Sequence, residues 1–230
     1  MKAAIVTGAS SGIGLEISKI LINNQYRVYG IGRDFNECNL PSEDFIKVSL
    51  DLTKTSELIT RIKEIRKSDE IHILINNAGV GYFGPHEELN PGKIHEMVTV
   101  NLETPLVLTQ LLLRDLKKFR GYIINISSVT AFKSNTHGCA YGATKAGLSS
   151  FSDSLFDEVR KYGVKVITIH PDMTRTNFYR NAGFCEGITE DTYVKPEEVA
   201  DSVDFILNQR EGMVISEITL KPQKHQIRKL

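Results

Sequence analysis

Short apolar runs typical of β-strands alternate with helical patterns along almost the whole chain. The strand-like runs lie at 3–6, 27–32, 45–50, 71–76, 121–127, 164–170 and 213–220. Helices are predicted between them: up to about 23, at about 55–67, 90–118 and 140–161, and from the step at 195–198. Because neighbouring parallel strands need a crossover between them, this alternation predicts a parallel sheet.

The predicted strands are apolar on both faces, so helices should cover the sheet on both sides. We therefore predict an α/β fold, a Rossmann-type doubly wound parallel sheet of about seven strands in a three-layer α/β/α arrangement. No linker or repeat divides the 230 residues, and residues 1–230 are predicted to form one domain. Pro105 could interrupt the helix at 90–118.

Two segments stand outside this pattern. The stretch from about 175 to 193 has weak periodicity and scattered Gly and Asn residues, and it is interpreted as a mobile flap. The last ten residues hold four Lys or Arg and no acid. They are interpreted as a solvated tail in preference to an interaction arm.

A glycine-rich stretch, TGASSGIG at 7–14, joins the first strand to the first helix. Backbone N–H groups at a helix N-terminus bind phosphate well, and close approach requires residues without Cβ atoms. Gly8 would form the tight turn, Gly12 would admit a pyrophosphate, and Gly14 would let the helix pack on the strand. A permissive loop is the alternative, but the position after the first strand favours nucleotide binding.

Tyr141 and Lys145 lie four residues apart on a predicted helix and therefore share one face. A cation near a phenol favours the phenolate, which tunes the phenol for acid–base catalysis near neutral pH. An exposed surface pair is the alternative for this spacing alone. Ser128, however, follows the predicted strand at 121–127 at its carboxyl end, where open parallel sheets bind ligands, and it lies 13 positions before Tyr141.

Several motifs occur in a fixed order: TGASSGIG, LDLT at 50–53, NNAG at 76–79, VNL around Asn101, SS at 127–128, YGATK at 141–145, and the stretch 171–176. Together they resemble the short-chain dehydrogenase/reductase family over about the whole chain. The resemblance implies an oxidoreductase of CH–OH donors that moves a hydride between a nicotinamide and a secondary alcohol or ketone.

The same resemblance assigns the catalytic roles. Tyr141 would be the general acid/base, Ser128 would position the substrate oxygen, and Lys145 would also bind the nicotinamide ribose. Asn101 would hold a water in a proton relay to Lys145. The residues expected to bind the cofactor are Gly8, Ser10, Ser11, Gly12, Ile13, Gly14, Arg33, Asp51, Leu52, Asn77, Ala78, Gly79, Tyr141, Lys145, Pro171, Thr174 and Thr176.

The end of the second predicted strand favours NADP(H) over NAD(H). Gly32 falls where an NAD-type member carries an acid for the ribose 2′-OH, and Arg33 falls where NADP-type members carry a cation. A carboxylate there would repel the 2′-phosphate, so its absence counts as well. Against this choice, Asp34 could turn inward, Ser11 replaces a basic residue that many NADP-type members carry, and Arg33 could be a surface charge.

The ending LKPQ at 220–223 is similar to the branch that oxidises 3-hydroxy acids and serine-like amino acids with NADP. A 3-hydroxy acid or a similar small carbonyl or alcohol is therefore the expected substrate. A 3-oxoacyl-[acyl-carrier-protein] reductase is the alternative enzyme. A dinucleotide-sensing protein is the non-enzyme alternative, but it would not need Ser128, Tyr141 and Lys145.

Composition bears on partners and compartment. The 28 basic and 28 acidic residues balance, which gives no field to attract nucleic acid or anionic lipid. The three cysteines lack a CxxC pair, so neither a disulfide framework nor a metal site is predicted, and a cytoplasmic location fits. No apolar run approaches the roughly 18 residues of a membrane span.

Relatives in the resembled family usually assemble through two long helices, here roughly 95–118 and 140–161. A homodimer or homotetramer is therefore expected. Apolar residues on these helices are compatible with an interface, although core packing would explain them equally well: Leu106, Leu111, Leu148 and Phe151.

Overall fold

The computed structural model describes residues 1–229. Within that range nine strands form: β1 Lys2–Thr7, β2 Arg27–Gly32, β3 Phe45–Ser49, β4 Glu70–Asn76, β5 Tyr122–Ile126, β6 Lys165–Pro171, β7 Phe184–Glu186, β8 Glu217–Leu220 and β9 Ile227–Lys229. The helices are α1 Gly12–Asn23, α2 Thr55–Ser68, α3 Pro91–Val98, α4 Thr104–Phe119, α5 Cys139–Val159 and α6 Pro196–Leu207.

Seven of these strands form one parallel sheet in the order β3-β2-β1-β4-β5-β6-β8. The chain builds outward from β1 to β3, then returns to place β4 on the other side of β1. The order therefore reverses between β1 and β4, which opens a crevice at the carboxyl ends of these strands. The predicted doubly wound α/β fold is confirmed.

Alternate residues of the strands supply two cores, one on each face of the sheet. Ala3 and Ile5 of β1 face α2, α4 and α5, whereas Ala4 and Val6 face α1 and α6. All four side chains are fully buried. Since both faces are covered, the inner strands are apolar on both faces as predicted, whereas the edge strands β3 and β8 leave side chains exposed.

The predicted helix at 90–118 is divided. α3 ends at Val98, a π-helical turn spans Thr99–Glu103, and α4 begins at Thr104. Pro105 has no N–H to donate to the carbonyl of Asn101, so a regular helical bond is missing at this point. Such turns occur often at functional sites.

The last strand of the sheet is shorter than predicted. β8 begins at Glu217, and residues 213–216 are not part of it. Ser216 still accepts a backbone hydrogen bond from Thr168 at 2.9 Å, so this stretch approaches β6 before regular pairing starts.

The chain beyond β8 does not end as a free tail. β9 pairs antiparallel with β7, which lies inside the segment predicted as a flap. The Arg228 Nε group donates to the carbonyl of Glu186 at 3.1 Å, and Lys224 forms an ion pair with Asp191 at 2.7 Å. Residues 224–229 are exposed to solvent as predicted, but they are paired with the flap and do not form a free tail; Leu230 lies outside the described residues. The mobility of the flap stays a prediction.

Residues 1–229 show neither a membrane-spanning helix nor a cluster of metal ligands. None of their helices combines the length and the apolar character that crossing a membrane requires. No group of three or more His, Cys, Asp or Glu side chains within that range is arranged to hold a metal ion.

Candidate active site

The carboxyl ends of β1, β2, β4, β5 and β6 open into a cavity of about 370 Å³. Of the predicted cofactor-binding and catalytic residues, the following line it: Gly8, Ser10, Ser11, Gly12, Ile13, Arg33, Asp51, Leu52, Asn77, Ala78, Gly79, Ser128, Tyr141, Lys145, Pro171, Thr174 and Thr176. Gly14 and Asn101 are the two predicted residues that lie behind this lining instead of within it.

The glycine loop forms a cradle of bare backbone. Gly8 and Gly12 adopt φ values of 66° and 55°, which side-chain-bearing residues rarely adopt. Gly14 was predicted to let the helix pack on the strand. The structure gives a different reason for a glycine here, because a Cβ atom would overlap the Gly8 carbonyl and the Asn77 amide. Ser11 precedes α1 without a side-chain cap, so the first N–H groups of this helix suit an anion.

The start of the loop is tied to the end of β4. The hydroxyl of Thr7 accepts hydrogen bonds from the N–H groups of Asn77 and Ala78, both at 3.0 Å. In return, the Asn77 amide donates to the carbonyls of Thr7 and Gly8 at 2.9 and 3.2 Å. These bonds hold the cradle open at the point where the strand order reverses. The bare backbone at the start of α1 is thereby left facing the cavity, where it suits a pyrophosphate.

At the other end of the cavity, Arg33 follows β2. Asp34 does not turn inward, because its carboxylate accepts the N–H of Asn36 at 2.8 Å and its amide at 3.2 Å. Asp51 accepts the N–H and hydroxyl of Thr53 at 3.0 and 2.9 Å, and the backbone bond from Thr53 is the main reason that the pKa of Asp51 is lowered.

Ser128, Tyr141 and Lys145 meet beyond the cradle. Lys145 is buried, its Nζ donates to the carbonyl of Ile126 at 2.7 Å, and it lies 5.8 Å from the centroid of the Tyr141 ring. Burial lowers the pKa of Lys145 to about 8. Ser128 follows β5, and its hydroxyl accepts the N–H of Thr130 at 3.2 Å.

The protonation of Tyr141 differs from the expectation. Burial raises the pKa of Tyr141, and the neighbouring hydroxyl of Ser128 lowers it by a smaller amount. The expectation that Lys145 lowers the pKa of Tyr141 is therefore wrong for this arrangement. Removing the phenolate from water destabilises it more than the neighbouring groups stabilise it. Tyr141 thus carries its proton at neutral pH and can donate it.

Asn101 lies in the π-helical turn and is buried. Its Oδ1 accepts the N–H of Val80 at 2.8 Å, while its Nδ2 donates to the carbonyl of Val80 at 2.9 Å and to Thr144 Oγ1 at 3.1 Å. The side chain therefore fixes the loop after β4 against α5. The water relay to Lys145 stays a prediction.

Aromatic rings that belong to no motif of the sequence surround Tyr141. Phe83 and Phe178 each lie 5.6 Å from its ring, centroid to centroid. Phe184 lies 5.1 Å from Phe83, and Tyr179 lies 5.1 Å from Phe178. We call Phe83, Phe178, Tyr179 and Phe184 the aromatic cage. The cage joins the loop after β4 to the flap and supplies an apolar wall beside the phenol.

The stretch after β6 brings the flap to the cradle. Thr174 pairs with Val194 across the base of the flap, and the N–H of Arg175 donates to the carbonyl of Val194 at 3.0 Å. Thr176 contacts the glycine loop closely: a Cβ atom at Gly12 would lie 3.1 Å from its methyl group. Thr174 and Thr176 therefore line the cavity, and Thr176 does so next to the glycine loop.

Comparison with known proteins gives a consistent result. A family model described as short chain dehydrogenase matches residues 2–183. An uncharacterized oxidoreductase of Staphylococcus epidermidis is 32% identical over 227 residues, which cover 96% of this chain and 97% of that protein.

Solved structures agree over nearly the same span. An alcohol dehydrogenase from the archaeon Thermococcus sibiricus, complexed with 5-hydroxy-NADP, has a TM-score of 0.88 at 25% identity and covers 98% of this chain and 99% of its own. A metagenomic short-chain oxidoreductase in complex with NADP has a TM-score of 0.81 at 28% identity, with 96% and 97% covered.

Proposed function

The chain belongs to the short-chain dehydrogenase family and is an oxidoreductase of that family, and from this premise we propose that it is an NADP(H)-dependent enzyme that interconverts a secondary alcohol and a ketone. One observation carries the proposal. The glycine cradle, which suits an anion, lines the same cavity as three catalytic groups: the phenol of Tyr141, the hydroxyl of Ser128 and the buried amine of Lys145.

The cofactor supplies the hydride when it is bound, because no side chain can. The chain's own residues orient the substrate and move the proton. The Ser128 hydroxyl would hold the carbonyl oxygen, and Tyr141 would give its proton to that oxygen as negative charge develops on it. Lys145, fixed by the carbonyl of Ile126, would keep a positive charge beside the phenol in the transition state. In the oxidation direction the same groups act in reverse.

The preference for NADP(H) rests on Arg33. Its side chain lines the cavity and is 57% exposed, whereas Asp34 is turned toward Asn36. Because Asp34, its neighbour in the sequence, is turned away, the guanidinium at the strand end can face a 2′-phosphate. Turnover with NADPH and NADH compares the two cofactors directly. A lower KM for NADH would contradict this preference.

The substrate class follows from the walls around Tyr141. The aromatic cage favours an apolar group on one side of the carbonyl. Arg180 lines the same cavity from the flap, so a carboxylate of the expected 3-hydroxy acid has a cation available. Simple ketones, 3-oxoacyl thioesters and 3-hydroxy acids, followed by NADPH absorbance, would rank these substrates.

Replacing Tyr141 tests the proposed chemistry. Tyr141→Phe removes the only proton that the phenol can donate and should lower kcat by about 10²- to 10⁴-fold. NADPH affinity, measured by fluorescence titration, should stay nearly unchanged. Tyr162→Phe makes the same chemical change at an exposed position and should retain full activity. Full turnover by Tyr141→Phe would reject the mechanism. A wild-type protein that binds NADPH but neither reduces the carbonyl compounds nor oxidises the 3-hydroxy acids with NADP⁺ would favour the dinucleotide-sensing alternative.

A further inference from the structure

An acid from another element reaches the end of the cavity that holds Arg33. Glu96 lies on α3, is 27% exposed, and lines the cavity together with Arg33 and Tyr82. Its Oε1 lies 3.9 Å from Nη1 of Arg33, which is an ion-pair distance but too long for a hydrogen bond. The carboxylate therefore faces the guanidinium without binding it tightly.

The other oxygen of Glu96 is already engaged. The Tyr82 hydroxyl donates to Oε2 at 2.7 Å, and this bond is the main reason that the pKa of Tyr82 is raised. Tyr82 thus holds the carboxylate near Arg33 but at a distance from it. Arg180 also acts on Tyr82, although more weakly than Arg33 does.

Asp51 is the second acid near this guanidinium, and it is occupied differently. Arg33 contributes to lowering the pKa of Asp51, but Thr53 donates two hydrogen bonds to one oxygen of this carboxylate. Glu96, by contrast, directs an oxygen toward Arg33 itself. Of these two acids, Glu96 is the one whose charge competes for the guanidinium.

Resting on the proposed NADP(H) function, we propose that Glu96 is a specificity-determining residue that competes with the cofactor's 2′-phosphate for Arg33. A carboxylate and a phosphate that share one guanidinium repel each other, so the charge of Glu96 lowers phosphate affinity. A 2′-hydroxyl carries no charge and is not opposed in this way. Glu96 therefore moderates the preference for NADP(H) that Arg33 creates.

Tyr82 sets the strength of this competition. While its hydroxyl holds Oε2, the carboxylate stays 3.9 Å from Arg33. Without that hydroxyl, both oxygens are free to form a bidentate pair with the guanidinium. Removing the charge of Glu96 and removing the hydroxyl of Tyr82 should consequently change phosphate affinity in opposite directions.

Isothermal titration calorimetry with 2′,5′-ADP and 5′-AMP tests this without turnover. Glu96→Gln should tighten 2′,5′-ADP binding about three- to ten-fold, with 5′-AMP binding unchanged. Tyr82→Phe should weaken 2′,5′-ADP binding by about two- to five-fold. Glu103→Gln, the same change at an exposed position beyond α3, should leave both constants unchanged.

The outcomes separate the inference from the function it rests on. Unchanged or weaker 2′,5′-ADP binding by Glu96→Gln, in a wild-type background that prefers 2′,5′-ADP, would overturn the role of Glu96 alone. Weaker binding by both variants would mean that the pair only maintains local structure, and would overturn it too. Equal affinity of the wild-type protein for the two nucleotides would reject the NADP(H) preference and this inference together.

Discussion

Lys145 shows what the proposed chemistry costs at the level of one residue. Its amine is buried, and its partner in the described structure is the neutral carbonyl of Ile126. Burial lowers the pKa of Lys145 from its ordinary value of 10.5 to about 8, so the protonated amine is less favourable in the folded protein than in the unfolded chain. The shift corresponds to a penalty of roughly 3 kcal/mol when the amine is protonated. A residue kept at such a cost is better explained by function than by stability.

Lys145→Met should therefore make the protein more stable at pH 7 while it abolishes turnover. Loss of the hydrogen bond to Ile126 offsets about 2 kcal/mol, which leaves a gain of about 1 kcal/mol. Between about pH 8 and 10.5 the folded wild-type protein binds fewer protons at Lys145 than the unfolded chain does. The penalty is thus complete below pH 8 and fades through that window.

Urea unfolding of both proteins at pH 7 and at pH 10 measures this difference. Lys145→Met should be more stable than the wild type by about 1 kcal/mol at pH 7 and less stable by about 1 kcal/mol at pH 10, where most of the penalty is gone but the hydrogen bond is still lost. Lys161→Met, at an exposed position, provides the matched control and should show no such pH dependence. A variant that is less stable than wild type at pH 7 would show that Lys145 stabilises the fold.

At the level of elements, the flap depends on the C-terminal strand. β7 and β9 pair only with each other and stand apart from the seven-stranded sheet. The side chains of β9 are exposed, so the pairing rests on backbone bonds and on contacts such as Arg228 with Glu186. Phe184 of β7 belongs to the aromatic cage. The C-terminal strand therefore supports the aromatic cage, of which Phe178 and Tyr179 line the cavity, without contributing to the core.

Removing residues 222–230 should loosen the flap and leave the sheet intact. We expect KM for the carbonyl substrate to rise by about three- to ten-fold. A two-stranded pairing is marginal on its own, and β7 has no strand partner once β9 is removed. NADPH affinity and the thermal midpoint should change little. Ile227→Thr keeps the backbone pairing and should behave like the wild type. Faster trypsin cleavage at Arg175 or Arg180 in the truncated protein would report the loosening, and an unchanged KM would contradict it.

The elements that could be predicted are those that local pattern determines. The strands, the helices and the parallel direction of the strands follow from apolar runs and crossovers. The glycine cradle follows from its place after β1. The aromatic cage could not be predicted, because Phe83 and Phe184 meet only after two irregular segments fold over α5. The β7–β9 pairing was missed for a related reason: its three-residue strands carry no periodicity, and their partner is set by tertiary structure.

The direction of the Tyr141 pKa shift is a property of the whole molecule. Sequence spacing places Lys145 one turn away, but it does not reveal how completely the sheet, α5 and the flap exclude water from the phenol. Asn101 is similar, since its amide binds Val80, which no motif specifies. The residue types of the site were therefore predictable, whereas the balance of burial and charge among them required the fold.

Assembly is the last property at this scale, and the burial of the four apolar residues predicted for an interface bears on it. Leu148 is buried, and Leu111 and Phe151 pack against the core, so these three are accounted for within one chain. Leu106 on α4 and Val98 at the end of α3 are 37% and 41% exposed. We expect α4 and α5 to form the contact of a homodimer or homotetramer, because exposed apolar residues on long helices gain by burial against a second copy.

Leu106→Arg should shift this assembly toward monomers, since an unpaired guanidinium at the centre of an apolar contact costs several kcal/mol. Ile46→Arg replaces a residue of similar exposure, 36%, on the edge strand β3 and should leave the assembly unchanged. Multi-angle light scattering over a concentration series distinguishes the states. A wild-type protein that is monomeric at all concentrations would contradict the homo-oligomer. If Ile46→Arg dissociates the assembly and Leu106→Arg does not, the contact lies at the β3 edge of the sheet instead.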